Sequence, residues 1–181
     1  MRFPKIYLCC GHNDLRPEFS YAKITKEDTV ATNAYIILWH KTSEIFKEDF
    51  VESLPVNGIM IHINALRAIC KTNTIKLSLT DNKEYIVLHQ KDGSEIRYNC
   101  QPDNNYPEWK NLFNKSKNAK PISKIGIKPA LLDCLCDAMD TYTRIVELEF
   151  TDERSGILVS QQVGNYLSAK GLIMPAMINN Y

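Results

Sequence analysis

Only seven of the 181 residues are glycine, and they are scattered, so no glycine-rich loop is available to cradle a phosphate. A G-x-S-x-G nucleophile elbow and an H-E-x-x-H zinc motif are also missing. The four histidines, His12, His40, His62 and His89, are dispersed, and no nucleophile stands beside a base in a recognisable motif. These absences make a non-enzymatic binding or assembly protein the expectation, with no cofactor. Net charge is lacking too. Basic and acidic residues number 22 and 21, leaving +1, which removes the usual argument for wholesale nucleic-acid binding. No apolar run approaches the roughly 20 residues of a membrane-crossing helix. The apolar run at 6–10 is too short for a signal-peptide core and precedes no small-residue cleavage site. The expected setting is soluble and cytoplasmic, with no membrane partner.

The six cysteines, Cys9, Cys10, Cys70, Cys100, Cys134 and Cys136, include no C-x-x-C pair. Several lie within apolar runs, so they read as buried, reduced thiols. On a helix, Cys134 and Cys136 would point in different directions, since successive side chains turn by about 100°. No metal site is expected.

What the chain does contain is a repeat. Residues 61–70 read I-H-I-N-A-L-R-A-I-C and residues 125–134 read I-G-I-K-P-A-L-L-D-C. Downstream, L-S-L-T-D at 77–81 matches L-E-F-T-D at 148–152, and I-V-L-H-Q at 86–90 matches I-L-V-S-Q at 157–161. Order and spacing hold in both copies, which marks a duplicated strand-helix-three-strand unit. A shorter third echo sets 35–41 against 85–91.

The pattern predicts strands at 5–10, 18–25 and 29–40, a meander with no convincing helix beyond one or two turns within 44–51. A strand at 59–63 leads into a helix at 65–71, with Asn64 as N-cap. Strands follow at 74–79, 84–90 and 95–100, the last two joined by an Asp92-Gly93 hairpin turn. Pro107 opens a short helical turn, and Pro129 opens a helix at 129–140. Strands at 144–151, 156–162 and 171–178 complete the chain, with Pro175 implying an edge or a bend. Six lysines and no acidic residue lie between Lys110 and Lys128. That run is either a solvated connection or a phosphate-facing strip. Asp133 and Asp137, four apart on one helix face, allow a paired-carboxylate site; a solvated face is the preferred reading.

Three segments carry a resemblance to the bacterial DNA polymerase III beta subunit, the sliding clamp. Residues 29–35, T-V-A-T-N-A-Y, resemble the family's V-A-T-D-G-H strand. Tyr106-Pro107-Glu108-Trp109 resembles the turn that ends a clamp domain. Residues 172–178, L-I-M-P-A-M-I, resemble the terminal V-V-M-P-M-R-L strand. They occur in family order with the repeat copies between them. Asn33-Ala34 replaces the family's D-G, and Ala176 stands where a second methionine is usual. A clamp subunit has three domains, more than a chain of this length holds.

The resemblance implies an α+β, DNA-clamp-like fold of antiparallel sheets with two main helices on one face and a duplicated strand-helix-three-strand unit. One domain, 1–181, would comprise a helix-less unit 1–54 and full units 55–118 and 119–181. The implied function is that of a sliding-clamp-like accessory protein of DNA replication or repair. Its partners would be replication or repair proteins, held through short linear peptides in an apolar pocket. Leu15, Thr32, Ala34, Tyr35, Ile37, Met174, Pro175 and Ala176 would line that pocket, unless they merely fill the core. Double-stranded DNA and further copies of the chain stay open as partners, with Arg67, Lys71, Lys117 and Lys120 as phosphate contacts. Against this, the 129–140 helix carries three aspartates, where a DNA-lining helix should present Lys or Arg. The alternative is a stand-alone interaction module that shares the fold and does not encircle DNA.

Overall fold

The computed structural model describes residues 3–11, 16–71, 74–102, 106–113, 125–139, 145–150, 155–161 and 169–176. The first strands are β1 (Tyr21–Ile24), β2 (Asp28–Thr32) and β3 (Ile36–Lys41). Two short helices, α1 (Thr42–Ile45) and α2 (Glu48–Ser53), lead to β4 (Ile59–His62) and α3 (Ile63–Lys71). Then come β5 (Thr74–Leu79), β6 (Tyr85–Gln90), β7 (Glu95–Pro102) and one helical turn, α4 (Lys110–Phe113). The final run is α5 (Pro129–Met139), β8 (Glu147–Glu149), β9 (Ile157–Ser160) and β10 (Ala169–Ile173).

The strands form one ten-stranded sheet in the order β5-β6-β7-β4-β1-β2-β3-β10-β9-β8. Every neighbouring pair is antiparallel. β7 joins the two halves: residues 95–99 pair with β6, and Cys100, Gln101 and Pro102 pair with β4. The order strand, helix, three strands occurs at β4-α3-β5-β6-β7. It recurs from the Gly126–Ala176 bridge through α5, β8, β9 and β10. The repeat read from the sequence is therefore real in space. The third echo is not. β3 closes the first meander, whereas β6 is the middle strand of the second.

Both main helices lie on the same face. Ile63, Leu66 and Ile69 of α3 and Leu135, Ala138 and Met139 of α5 share one core with Ala22, Ile24, Ala31, Ile36 and Leu38 of the sheet. Burying a side chain of leucine or isoleucine size contributes about 1.5–3 kcal/mol, so this layer dominates stability. Gly171 lets α5 sit close. A Cβ there would run into the Leu135 side chain, which is fully buried.

Several local expectations are corrected. Residues 5–10 are not a strand. Ile6–Cys9 is a 3-10 turn wedged under the sheet against α3 and α5, burying Ile6 and Cys9 three positions apart. Residues 18–25 begin with a 3-10 turn, Pro17–Ser20, before β1. Residues 29–40 are a hairpin, not one strand. Asn33 and Ala34 make the turn, and Ala34 supplies a left-handed φ of 73°. The α3 helix starts at Ile63, so Asn64 is no N-cap; instead its N–H donates to His62 Nδ1 at 3.2 Å. The last strand is no sheet edge, since β10 pairs with β3 on one side and β9 on the other. β8 and β10 are shorter than expected, while the turn expected at 11–14 lies mostly outside the described residues.

Candidate functional site

The β2–β3 hairpin turn is held by its own polar side chains. Thr32 Oγ1 donates to the Ile36 carbonyl (2.9 Å) and accepts from the Ala34 N–H (3.2 Å). Asn33 Oδ1 accepts from the N–H groups of Tyr35 and Ile36, both at 3.0 Å. This Asx-type geometry carries the chain through the left-handed residue without glycine. Tyr35 is left projecting from the turn, 61% exposed.

The end of β10 is laid beside this turn. Ile173 is opposite Ile36 and Leu172 opposite Ile37, and the Met174 N–H donates to the Tyr35 carbonyl at 2.9 Å. Met174 is 43% exposed; Pro175 and Ala176 are half-buried. The Ala176 N–H donates to the Gly126 carbonyl at 2.8 Å, bringing the entry to α5 alongside, and Lys128 Nζ lies 6.0 Å from the Tyr35 ring centre. Thr32, Ala34, Tyr35, Ile37, Met174, Pro175 and Ala176 are thus gathered at one end of β2, β3 and β10. Leu15, the remaining pocket candidate, lies outside the described residues.

Their surroundings divide them. Ala34, Tyr35 and Met174 are exposed, whereas Thr32 and Ile37 are buried. Ile37 packs with Val30, Met60, Tyr106 and Leu172 in a second, smaller core on which Trp109, Leu112 and Phe113 also rest. The segment 106–113 is fastened across it. Tyr106 Oη donates to the Val30 carbonyl at 3.2 Å. Lys110 Nζ reaches Asp28 Oδ2 at 3.0 Å, and Trp39 Nε1 donates to Asp28 Oδ1 at 2.8 Å. Beside this fastening lies a cleft of about 350 Å³, lined in part by Lys23, Asp28, Val30, Val56 and Trp109. The helical turn expected to open at Pro107 begins instead at Lys110, and Tyr106–Trp109 is irregular chain laid on apolar surface. Its aromatic content was the available signal that it covers apolar surface.

The phosphate-contact candidates are not brought together with the patch. Arg67 and Lys71 belong to α3, whose apolar positions pack into the helix-side core. The Arg67 guanidinium lies 5.5 Å from the Tyr7 ring centre, and Lys71 is exposed at the helix end. Lys117 and Lys120 lie outside the described residues. On α5, Asp133 is exposed and Asp137 is 3.6 Å from Lys5 Nζ, so the helix layer carries mixed charge. Among the described residues no three His, Cys, Asp or Glu side chains cluster as metal ligands would. No helix there is long and apolar enough to cross a membrane.

No protein-family model matches the chain, and no curated protein matches it in sequence. Solved structures do match. A Helicobacter pylori beta clamp in complex with diflunisal aligns over 96% of this chain with a TM-score of 0.68 at 12% identity. The Bacillus subtilis DNA polymerase sliding clamp covers 98% (TM-score 0.62, 11% identity), and the Streptococcus pyogenes DNA polymerase beta subunit 96% (0.63, 12%). The fold is that of the bacterial sliding clamps. At such identities the likeness speaks for the fold alone. The chain aligns with 62%, 64% and 63% of the lengths of those three clamps.

Proposed function

We propose that this chain is a non-enzymatic, sliding-clamp-like accessory protein of DNA replication or repair that holds short linear peptides of partner proteins at the Tyr35–Met174 patch. One observation carries the reading. Two segments distant in sequence, the β2–β3 turn and the end of β10, are joined by the Met174 N–H to Tyr35 carbonyl bond, and both leave large apolar side chains in solvent. Methionine adapts to varied apolar anchors, and an aromatic ring beside it gives them a firm wall. Thr32 shapes the turn rather than touching a peptide, and Ile37 forms the floor. On this reading the whole chain is one domain of three units, 1–54, 55–118 and 119–181. The sheet ends, β5 and β8, are where further copies would join edge to edge.

The test is fluorescence anisotropy with a labelled peptide that carries the apolar anchors of clamp-binding motifs. Saturable binding, weakened at least roughly tenfold by Met174→Asp and Tyr35→Ala, supports the site. Equal binding by wild type and both variants removes it.

A second reading, a module of this fold that does not enclose DNA, is favoured by the mixed charge of the helix layer. Light scattering and DNA titration separate the two. A closed oligomer whose DNA affinity falls steeply with salt supports the ring. A monomer without salt-dependent DNA binding supports the module.

A further inference from the structure

The 3-10 turn Ile6–Cys9 occupies the space between α3 and α5. At its end the Cys9 side chain is fully buried, and Cys134 of α5 faces it from a half-buried position. The Cys134 thiol donates to the Leu8 carbonyl at 3.1 Å, which sets it beside Cys9, the next residue of the turn. Two neighbouring thiols, one half-exposed and one sealed in the core, can act together as a dithiol site.

We infer that Cys9 and Cys134 are an oxidisable pair, converted by a hydroperoxide into a disulfide that fastens the N-terminal turn to α5. The division of labour follows from the surroundings. Contact with Cys9 brings the Cys134 pKa down to about 7, against the opposing effects of burial and of Asp137, which is itself paired with Lys5. Burial, followed by contact with Cys134, pushes Cys9 up well above the ordinary thiol value. Burial alone pushes its neighbour Cys10 up to about 12. Cys134, the half-exposed thiol of the two, is therefore the one a peroxide reaches. Its sulfur attacks one peroxide oxygen, the O–O bond breaks, and the departing oxygen leaves as alcohol or water after taking a proton. Cys134 is then a sulfenic acid. The Cys9 sulfur attacks the Cys134 sulfur, the S–S bond forms, and the S–O bond breaks. The hydroxyl leaves as water with the Cys9 proton. The two thiols lose two electrons, and the peroxide gains them.

The experiment treats the full chain with a few equivalents of hydrogen peroxide, blocks free thiols with N-ethylmaleimide, digests, and maps linked peptides by mass spectrometry. The expected product is a Cys9–Cys134 linked peptide, with loss of two of the six thiols. In Cys9→Ala, whose folding is checked by circular dichroism, Cys134 should instead yield a dimedone adduct of its sulfenic acid. The oxidised wild type should melt higher by at least roughly 5 °C, since the new link closes a long loop. A dominant Cys9–Cys10 link, a link from Cys134 to any other cysteine, or unlinked oxidation at excess peroxide overturns the inference. The mapping on wild type needs no variant to fold.

Discussion

Acidifying the protein from pH 7 to pH 5 should cost about 2 kcal/mol of stability through one side chain, His40. It sits near the C-terminal end of β3, opposite Thr29 of β2 and Ala169 of β10, and is fully buried. Neither ring nitrogen has a well-formed hydrogen bond, and the backbone of Ala138 in α5 faces the ring. Burial brings its pKa down from 6.5 to about 4, opposed only by that backbone. The folded pKa is therefore below the unfolded one. Between about 4 and 6.5 the unfolded chain binds the extra proton, so stability is full above that window and is lost as pH falls through it. At about 1.4 kcal/mol per pH unit the whole window is worth about 3 kcal/mol, and roughly 2 kcal/mol of it is gone by pH 5. The assay is urea unfolding, followed by circular dichroism, at pH 7, 6, 5 and 4.5, on wild type and His40→Leu. The variant should lie within about 1.5 kcal/mol of wild type at pH 7, because deleting the ring orphans no hydrogen-bond partner. It should lose less stability than wild type by about 2 kcal/mol at pH 5. Identical pH slopes for the two proteins, or an NMR titration of His40 near 6.5, would refute the reasoning.

Ala34→Gly should raise stability by about 0.5–1 kcal/mol in urea unfolding, because glycine adopts the left-handed turn conformation without the strain a Cβ imposes. Gly171→Ala should lower it by about 1–3 kcal/mol, since the new methyl displaces Leu135 and lifts α5 from β10; an unchanged melting temperature would mean that the helix is loosely seated. Tyr106→Phe should cost about 1 kcal/mol through the lost bond to the Val30 carbonyl, and should raise Trp fluorescence quenching by acrylamide as the 106–113 segment loosens.

Much of the fold was legible because its strongest signals are local. Asp92-Gly93 marks the β6–β7 turn, where Gly93 takes a φ of 85°. The spacing of Leu66, Ile69 and Cys70 places α3, and Pro129 opens α5 as its fixed φ favours. The failures have separate causes. The β2–β3 turn carried no glycine signal, because Thr32 and Asn33 stabilise a left-handed alanine. The apolar run at 6–10 reads as a strand, yet it buries itself as a 3-10 turn against α3 and α5. At the candidate site, the exposed Tyr35 and Met174 were found only through likeness to a clamp. Their apolar character does not distinguish them from Ile37, which is buried.

By itself the sequence determined the duplicated unit, the antiparallel architecture and the two helices. Alternation, helical spacing and turn residues act between neighbours in the chain, so their energies are written locally. Only the tertiary structure decided which segments meet. Met174 reaches Tyr35, Tyr106 reaches Val30, and Cys134 reaches the Leu8 carbonyl through sheet order and helix packing, and no single segment encodes these. The same holds for the chemistry of His40 and Cys134. A pKa depends on what surrounds the group once water has been excluded, and those neighbours come from distant parts of the chain.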